Sequence, residues 1–181
     1  MPKSGFFLNN LIFISGGQTG ADIAGLQVAN ALGISTSGYA AKNYMTENGP
    51  NPQLKDFGLI DDGHSYKDRT ILNARISDLT ILFCVNFNSP GTKRLENAGN
   101  FNIVKIDVSK ILKLEQTRHA GIAALEIEYS AECIRAALQA SGPVVNIAGN
   151  RESASPGNME RLTKKILFSA LSPLRFPAIV A

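Results

Sequence analysis

The sequence predicts an α/β fold: a mostly parallel sheet with helices on both faces. Three observations carry this. Short β-branched apolar runs alternate with segments whose apolar residues recur at helical spacing, the pattern of strand, crossover helix and parallel strand. The run Leu79 to Val85 is apolar almost throughout, as befits a central strand covered on both sides. Three of the strands end in turns rich in glycine and hydrogen-bonding side chains, where a parallel sheet places its ligand-binding loops. At 181 residues, 44% of them apolar, the chain can bury one substantial core, and a single domain over 1–181 is expected.

The first strand is Leu11 to Ile14. Two glycines end it, and a helix follows with Ile23, Leu26 and Ala29 on one side and Gly33 closing it. Ile34 to Gly38 is a short second strand. Residues 39–63 then break the alternation: two prolines, three asparagines and three glycines leave no sustained period, and an irregular insert is expected, either a solvated loop or a functional one. From Ser65 a helix turns Tyr66, Ile71 or Leu72, and Ile76 inward, and places Arg69 and Asn73 four apart on one face. The central strand Leu79 to Val85 runs into the turn Asn86 to Thr92 and a helix with Leu95 and Ala98. Asn102 to Val108 is a fourth strand, and residues 109–118 read as one short helix. Ile127, Ala131, Ile134 and Leu138 mark a long helix closed by Gly142-Pro143. Val144 to Ala148 is a fifth strand, its turn runs from Gly149 to Gly157, and the last helix sets Met159, Leu162 and Ile166 against Arg161, Lys164 and Lys165.

Charge and cysteine usage exclude several classes. The net charge of +3 arises from Arg151 onward, because residues 1–150 hold thirteen basic and thirteen acidic side chains; this is no nucleic-acid-binding stripe. Cys84 and Cys133 lie far apart in apolar contexts with no Cys-x-x-Cys, so both are expected reduced, in a cytoplasm. Neither a signal peptide nor a membrane span is expected. His64 and His119 lack metal-ligand spacing, so no metal site is expected.

The polar residues converge on three turns. In Ile14-Ser-Gly-Gly-Gln-Thr-Gly-Ala-Asp22, the glycines Gly16, Gly17 and Gly20 open the backbone at a helix N-terminus, which suits phosphate, and Gln18, Thr19 and Asp22 add polar reach. Close strand-helix packing, with Asp22 as an N-cap, would ask for the same glycines. The spacing fits neither Walker A nor Gly-x-Gly-x-x-Gly. The second turn offers Ser89, Gly91 and Thr92; the third offers Arg151, Glu152 and Ser153. Arg151 is the expected fixed positive charge, because a guanidinium matches phosphate with two parallel hydrogen bonds, and Arg69 is a second. Glu152 and Ser153 would orient Arg151 or cap the last helix. Carboxylates able to do acid-base work are Asp22, Glu47, Glu96 and Glu152, though no two are paired by the sequence, and the catalytic residues stay unknown.

These residues, taken together, resemble a family. SGGQTGAD with AGLQVANALGI, the helix bearing Arg69-Thr70 and Asn73, Ser77-Asp78-x-Thr80, Ser89-Pro-Gly-Thr92, and NIAGNRES followed by Ser155-Pro-Gly157 are similar to the "putative molybdenum carrier" family over roughly residues 11 to 170. It sits in the Rossmann-like superfamily with the lysine-decarboxylase-like phosphoribohydrolases and DNA-processing protein A. The resemblance implies a Rossmann-like three-layer sandwich of five or six strands that holds a phosphorylated pterin-like or nucleotide-like ligand. Molybdenum cofactor is the family's proposed ligand, otherwise a nucleotide. Carried over by position, the binding residues are Gly16, Gly17, Gln18, Thr19, Gly20, Asp22, Gly91, Thr92, Arg151, Glu152 and Ser153.

The phosphoribohydrolases carry Pro-Gly-Gly-x-Gly-Thr-x-x-Glu. Here Ser89-Pro-Gly-Thr92 has lost part of that glycine run, and Glu96 sits one residue further on, which favours binding over hydrolysis. The alternative stays a nucleoside-monophosphate phosphoribohydrolase using Glu96 or Glu152; a nucleotide-sensing module is a third reading. Expected partners are the small phosphorylated ligand, molybdoenzymes and further copies of the chain in a homo-oligomer.

Overall fold

Six parallel strands form the sheet, in the spatial order Leu59–Ile60, Ser35–Tyr39, Ile12–Ile14, Val144–Gly149, Leu79–Cys84, Ile103–Asp107. The computed structural model describes residues 8–61, 63, 65–98, 102–117 and 119–174; His64 lies outside them. Along the chain run β1 (Ile12–Ile14), α1 (Ala21–Leu32), β2 (Ser35–Tyr39), β3 (Met45–Thr46), β4 (Gly49–Pro50) and β5 (Leu59–Ile60). There follow α2 (Tyr66–Ile76), β6 (Leu79–Cys84), α3 (Pro90–Glu96), β7 (Ile103–Asp107), α4 (Val108–Gln116), α5 (Ala120–Ala140), β8 (Val144–Gly149) and α6 (Met159–Leu171). The expected α/β architecture is the one observed. No helix among the described residues is long and apolar enough to cross a membrane.

Strand alternation sorts the core. Phe13, Ile81, Phe83, Val145 and Ile147 point to one face and are sealed by Val28, Ile111, Ile134, Leu138, Leu162 and Ile166 of α1, α4, α5 and α6. Leu82 and Cys84 point the other way, under Ala74 of α2 and Leu95 of α3. The strands β6 and β8 therefore lie side by side, Phe83 against Gly149, while the helices that follow them pack on opposite faces. A crevice must open between the carboxyl ends of two such strands.

The caps follow from local chemistry. Ser65 accepts from the backbone N–H of Lys67 and Asp68 at the start of α2, and Ser89 accepts from Thr92 N at 3.3 Å to start α3, where Pro90 is the first helical residue. Asp107 does the same for α4, which makes the segment after β7 one short helix, as its sequence suggests.

Two expectations are corrected. Residues 39–63 are not without structure: β3 and β4 form a two-residue hairpin, Pro52–Phe57 is a 3-10 turn, and β5 adds a sixth strand to the sheet beside β2. Pairs of two residues are too short to produce a period, and the prolines and glycines that hide them in the sequence are their turns. Leu54 and Leu59 of this insert pack with Leu26 of α1, closing the β2 edge.

The helix α2 also faces otherwise than its apolar residues suggest. Tyr66 and Ile76 are exposed, whereas Arg69, Asn73 and Ala74 are buried. It lies over the carboxyl edge, where its buried side must satisfy polar backbone: Asn73 accepts from Tyr39 N at 2.9 Å and donates to Tyr39 O at 3.1 Å, ending β2.

Gly38 tests the tightness of this edge. Its φ is +127°, and a Cβ would lie 2.4 Å from the carbonyl oxygen of Ser15 on the neighbouring strand. Gly38→Ala should cost at least about 2 kcal/mol, from backbone strain and overpacking together. In a chain of this size that lowers the melting midpoint by about 4 °C or more, a shift that a calorimetric melt resolves.

Candidate functional site

The crevice is a cleft of about 400 Å³ at the carboxyl edge. One side is the turn after β1 (Gly16, Gln18, Asp22) with the loop after β8 (Asn150, Arg151, Ser153). The other is the turn after β6 with α3 (Ser89, Gly91, Thr92, Arg94, Leu95). The helix α2 closes it with Tyr66, Arg69, Thr70 and Asn73, and the floor is Leu82, Asn146 and Ala148. All three turns singled out in the sequence meet here.

At the back lies a buried ion pair. Arg69 Nη1 is 2.9 Å from Asp22 Oδ2, with the two residues 8% and 4% exposed. The guanidinium rests on Gly16, where any Cβ would coincide with it at 1.0 Å. Gly16 is thus required by the protein's own arginine. Asp22 Oδ2 also accepts from Gln18 N at 3.3 Å, so the positive end of α1 is met by the chain's own carboxylate.

Gln18 is 6% exposed, and its amide orientation is imposed by its partners. Two backbone donors, Thr19 N at 3.0 Å and Glu47 N at 2.8 Å, both require an acceptor, so Oε1 faces them. That leaves Nε2 as a buried donor with no partner among the described residues, and Arg69 Nε is a second. Unpaired buried donors are costly, which makes them places where an acceptor is expected.

The glycines Gly17 and Gly20 are used for packing. With φ of +69° and +78°, a Cβ on Gly17 would strike Leu54 and Leu59 of the insert, and one on Gly20 the backbone of Asn150 to Glu152. Gly17 and Thr19 border a smaller cleft of about 230 Å³ shared with Thr46 and Asn48 to Asn51 of the insert.

Between the two clefts stands Glu47, which sequence reasoning noted only as one carboxylate among four. It accepts from the Thr19 hydroxyl, from Ser153 N at 3.1 Å and from the Ser153 hydroxyl, and Arg151 Nε lies 3.9 Å away. Burial alone would raise its pKa, but the hydrogen bonds from Ser153 and Thr19, with the charge of Arg151, more than offset this and hold it below the ordinary value of 4.5. Arg151 itself stands at the rim with its side chain about half exposed. Thr92 is buried, its hydroxyl 2.8 Å from Ser89 Oγ and 3.4 Å from Cys84 Sγ, and burial pushes the Cys84 thiol up to about 11.

Glu96 and Glu152 do not line the cleft. Glu96 is bonded to Lys105 at 2.6 Å, which holds its carboxyl low, and Glu152 Oε2 accepts from Glu160 N at 2.8 Å in the first turn of α6. Asp22 is the one cleft carboxylate among the described residues. His119 lies outside too, at the start of α5. Asn150, overlooked in the sequence although it ends the strand, is the clamp of the whole edge: its Oδ1 accepts from Val85 N and Asn86 N, both at 2.9 Å, and its carbonyl from Ala21 N at 3.3 Å. Arg94 and Asn146 were overlooked as well. Nothing in the spacing of Arg94 sets it apart from a surface helix charge, whereas Asn146 is an amide inside an otherwise apolar strand.

A family model described as "Circularly permutated YpsA SLOG family" matches residues 13–171. The chain is 28% identical to the crystal structure of a "putative molybdenum carrier protein" from Syntrophus aciditrophicus SB, which covers 88% of this chain and 94% of that one with a TM-score of 0.73. No curated protein matches.

Arg69→Ala strands Asp22 as a buried unpaired carboxylate and should cost about 3 to 5 kcal/mol in denaturant unfolding, whereas the double variant Arg69→Met with Asp22→Asn should recover much of the loss. For Glu47 the folded pKa lies below the unfolded one, so its stabilisation is full above the ordinary value of 4.5 and disappears as pH falls through the folded value. Glu47→Gln should therefore melt below wild type at neutral pH and converge with it in acid; a constant gap across the titration would refute the assignment.

Proposed function

Because the chain belongs to the circularly permutated YpsA SLOG family, we propose that it is a binding or carrier protein for a small phosphorylated heterocycle, held at the carboxyl edge of its sheet. The observation that carries this is the cleft itself: three turns from β1, β6 and β8 meet around a floor of Leu82, Asn146 and Ala148, and two buried donors, Gln18 Nε2 and Arg69 Nε, face no acceptor among the described residues. A planar ring suits the floor of Leu82 and Ala148 beneath Tyr66. The phosphate suits the Arg151 rim, with Ser89, Gly91 and Thr92 across from it. Gly16, Gln18, Asp22, Arg69 and Asn73 form the rear wall; Gly17, Thr19, Gly20 and Glu152 support the loops that present it.

Molybdenum cofactor is compatible with this donor set through its pterin and phosphate. Among the described residues no group of three or more His, Cys, Asp or Glu side chains is placed to hold a metal ion, so the protein's hold would be on the organic part. Bound cofactor would supply the molybdenum chemistry, while this chain's own residues bind, orient and shield the pterin; a molybdoenzyme would be the recipient. A hydrolytic reading needs a carboxylate free to activate water. Asp22 is spent on Arg69 and Gln18, and Glu96 and Glu152 are turned elsewhere.

Mass spectrometry of natively purified protein identifies a retained ligand, and calorimetry with that compound tests the site. Arg151→Ala should weaken binding roughly ten- to a hundredfold, with Arg151→Lys restoring part, because lysine keeps the charge but not the fork. Its melting midpoint should hardly move, since the side chain is about half exposed. Unchanged affinity, or a large loss of stability without ligand, would make Arg151 structural. Incubation with nucleoside monophosphates should release no free base.

A further inference from the structure

The charges of the cleft do not balance. Its lining holds Arg69, Arg94 and Arg151 against the single carboxylate of Asp22. Arg69 and Asp22 neutralise each other at 2.9 Å. Arg94, half-buried on α3, has no ion pair or hydrogen bond among the described residues. Arg151, from the loop after β8, has only the 3.9 Å approach to Glu47, a carboxylate already filled by Thr19 and Ser153. Two positive charges are therefore left open, one from each of two separate walls, over a floor that carries none.

An arginine with nothing to hold, at the edge of a partly desolvated cleft, marks where an anion is expected. Such a cleft also concentrates field and draws anions in. One bidentate guanidinium satisfies the paired oxygens of one phosphate. Two guanidiniums on different walls are matched by two anionic groups. We infer that Arg94 is a second anion anchor, and that the ligand carries two linked anionic groups, a diphosphate, spanning from Arg151 to the α3 wall. This rests on the reading of the cleft as a phosphate-binding site and specifies the charge of what it takes. The hydroxyls of Ser89 and Thr92, 2.8 Å apart and bonded to each other, lie on the same wall as Arg94.

The experiment is calorimetric titration of inorganic phosphate, inorganic pyrophosphate, AMP and ADP into wild type, Arg94→Ala, Arg94→Lys and Arg151→Ala, with melts of each variant. Wild type should prefer pyrophosphate over phosphate, and ADP over AMP, by about tenfold or more. Arg94→Ala should erase that preference while leaving the monophosphate compounds little changed, Arg94→Lys should restore part of it, and Arg151→Ala should weaken all four. If Arg94→Ala leaves the diphosphates unaffected, or weakens mono- and diphosphates equally, the second anchor does not exist; equal weakening would mean both arginines clamp one phosphate. Those outcomes leave the phosphate site standing. If wild type binds none of the four, or Arg94→Ala and Arg151→Ala both bind as wild type does, the phosphate reading itself falls, and this inference with it.

Discussion

The ion pair between Arg69 and Asp22 is the constraint on which the carboxyl edge depends. It joins α2 to the first turn of α1 across the end of β1, at under a tenth exposure on either side. Because the guanidinium occupies the space where a side chain at position 16 would stand, the strand must end in glycine. Because Asp22 lies in the first turn of α1, the partial positive charge of that helix end is answered from within. Desolvating both charges is costly, and the pair does not recommend itself as a source of stability. Its effect is positional: it holds α2 over the edge, so that Asn73 can terminate β2 and Tyr66 can roof the cleft.

A consequence concerns where a ligand's charge can go. The turn after β1 looks, in sequence, like the anion site, yet its formal and partial charges are already consumed by Asp22, and Glu47 has taken the Thr19 and Ser153 donors. What stays open is displaced outward and across, to the rim arginines and to the one amide that its neighbours force to present a donor. The insert, through Glu47, acts as an internal anion that ties the first turn to the third. Its carboxylate is kept ionised by those same bonds.

How much of this was legible in the sequence depends on how far apart the interacting residues are. The strands β1, β6, β7 and β8 announce themselves by apolar runs and β2 by its place between Gly33 and Gly38, and the convergence of three turns follows from parallel topology without any knowledge of side-chain positions. The caps at Ser89 and Asp107 are local as well, yet the sequence reads Ser89 as a ligand-binding hydroxyl and Asp107 as part of the fourth strand. By contrast β5 is two residues long and exists because β2 offers it hydrogen bonds, a partner 21 residues away (Leu59 against Gly38) that no window of periodicity contains. Arg69 and Asp22 are 47 positions apart, and Glu47 and Ser153 are 106 apart; local spacing singles out some of these residues but pairs none of them. The orientation of α2 was missed because its inward face is polar, which the usual apolar-inward rule reads as outward.

The glycines carry the sharpest lesson about motifs. A glycine is required wherever a Cβ would collide, and the sequence does not say with what. At Gly17 the obstacle is Leu54 and Leu59, at Gly20 it is the backbone of the β8 loop, and at Gly16 it is an arginine. In each case the space a phosphate was expected to enter is filled by protein. The same crowding ties the three turns together. With Gly20 pressed on Asn150 to Glu152, and Asn150 bonded to Val85 and Asn86, the three turns form one rigid rim rather than three independent loops. Within it Gln18 cannot rotate its amide without breaking two hydrogen bonds to backbone, so its free N–H stays aimed at a fixed point. On the proposed reading of the cleft as a binding site, a rim so prepared would lose little entropy when filled, and would select ligands by whether an acceptor falls at that point.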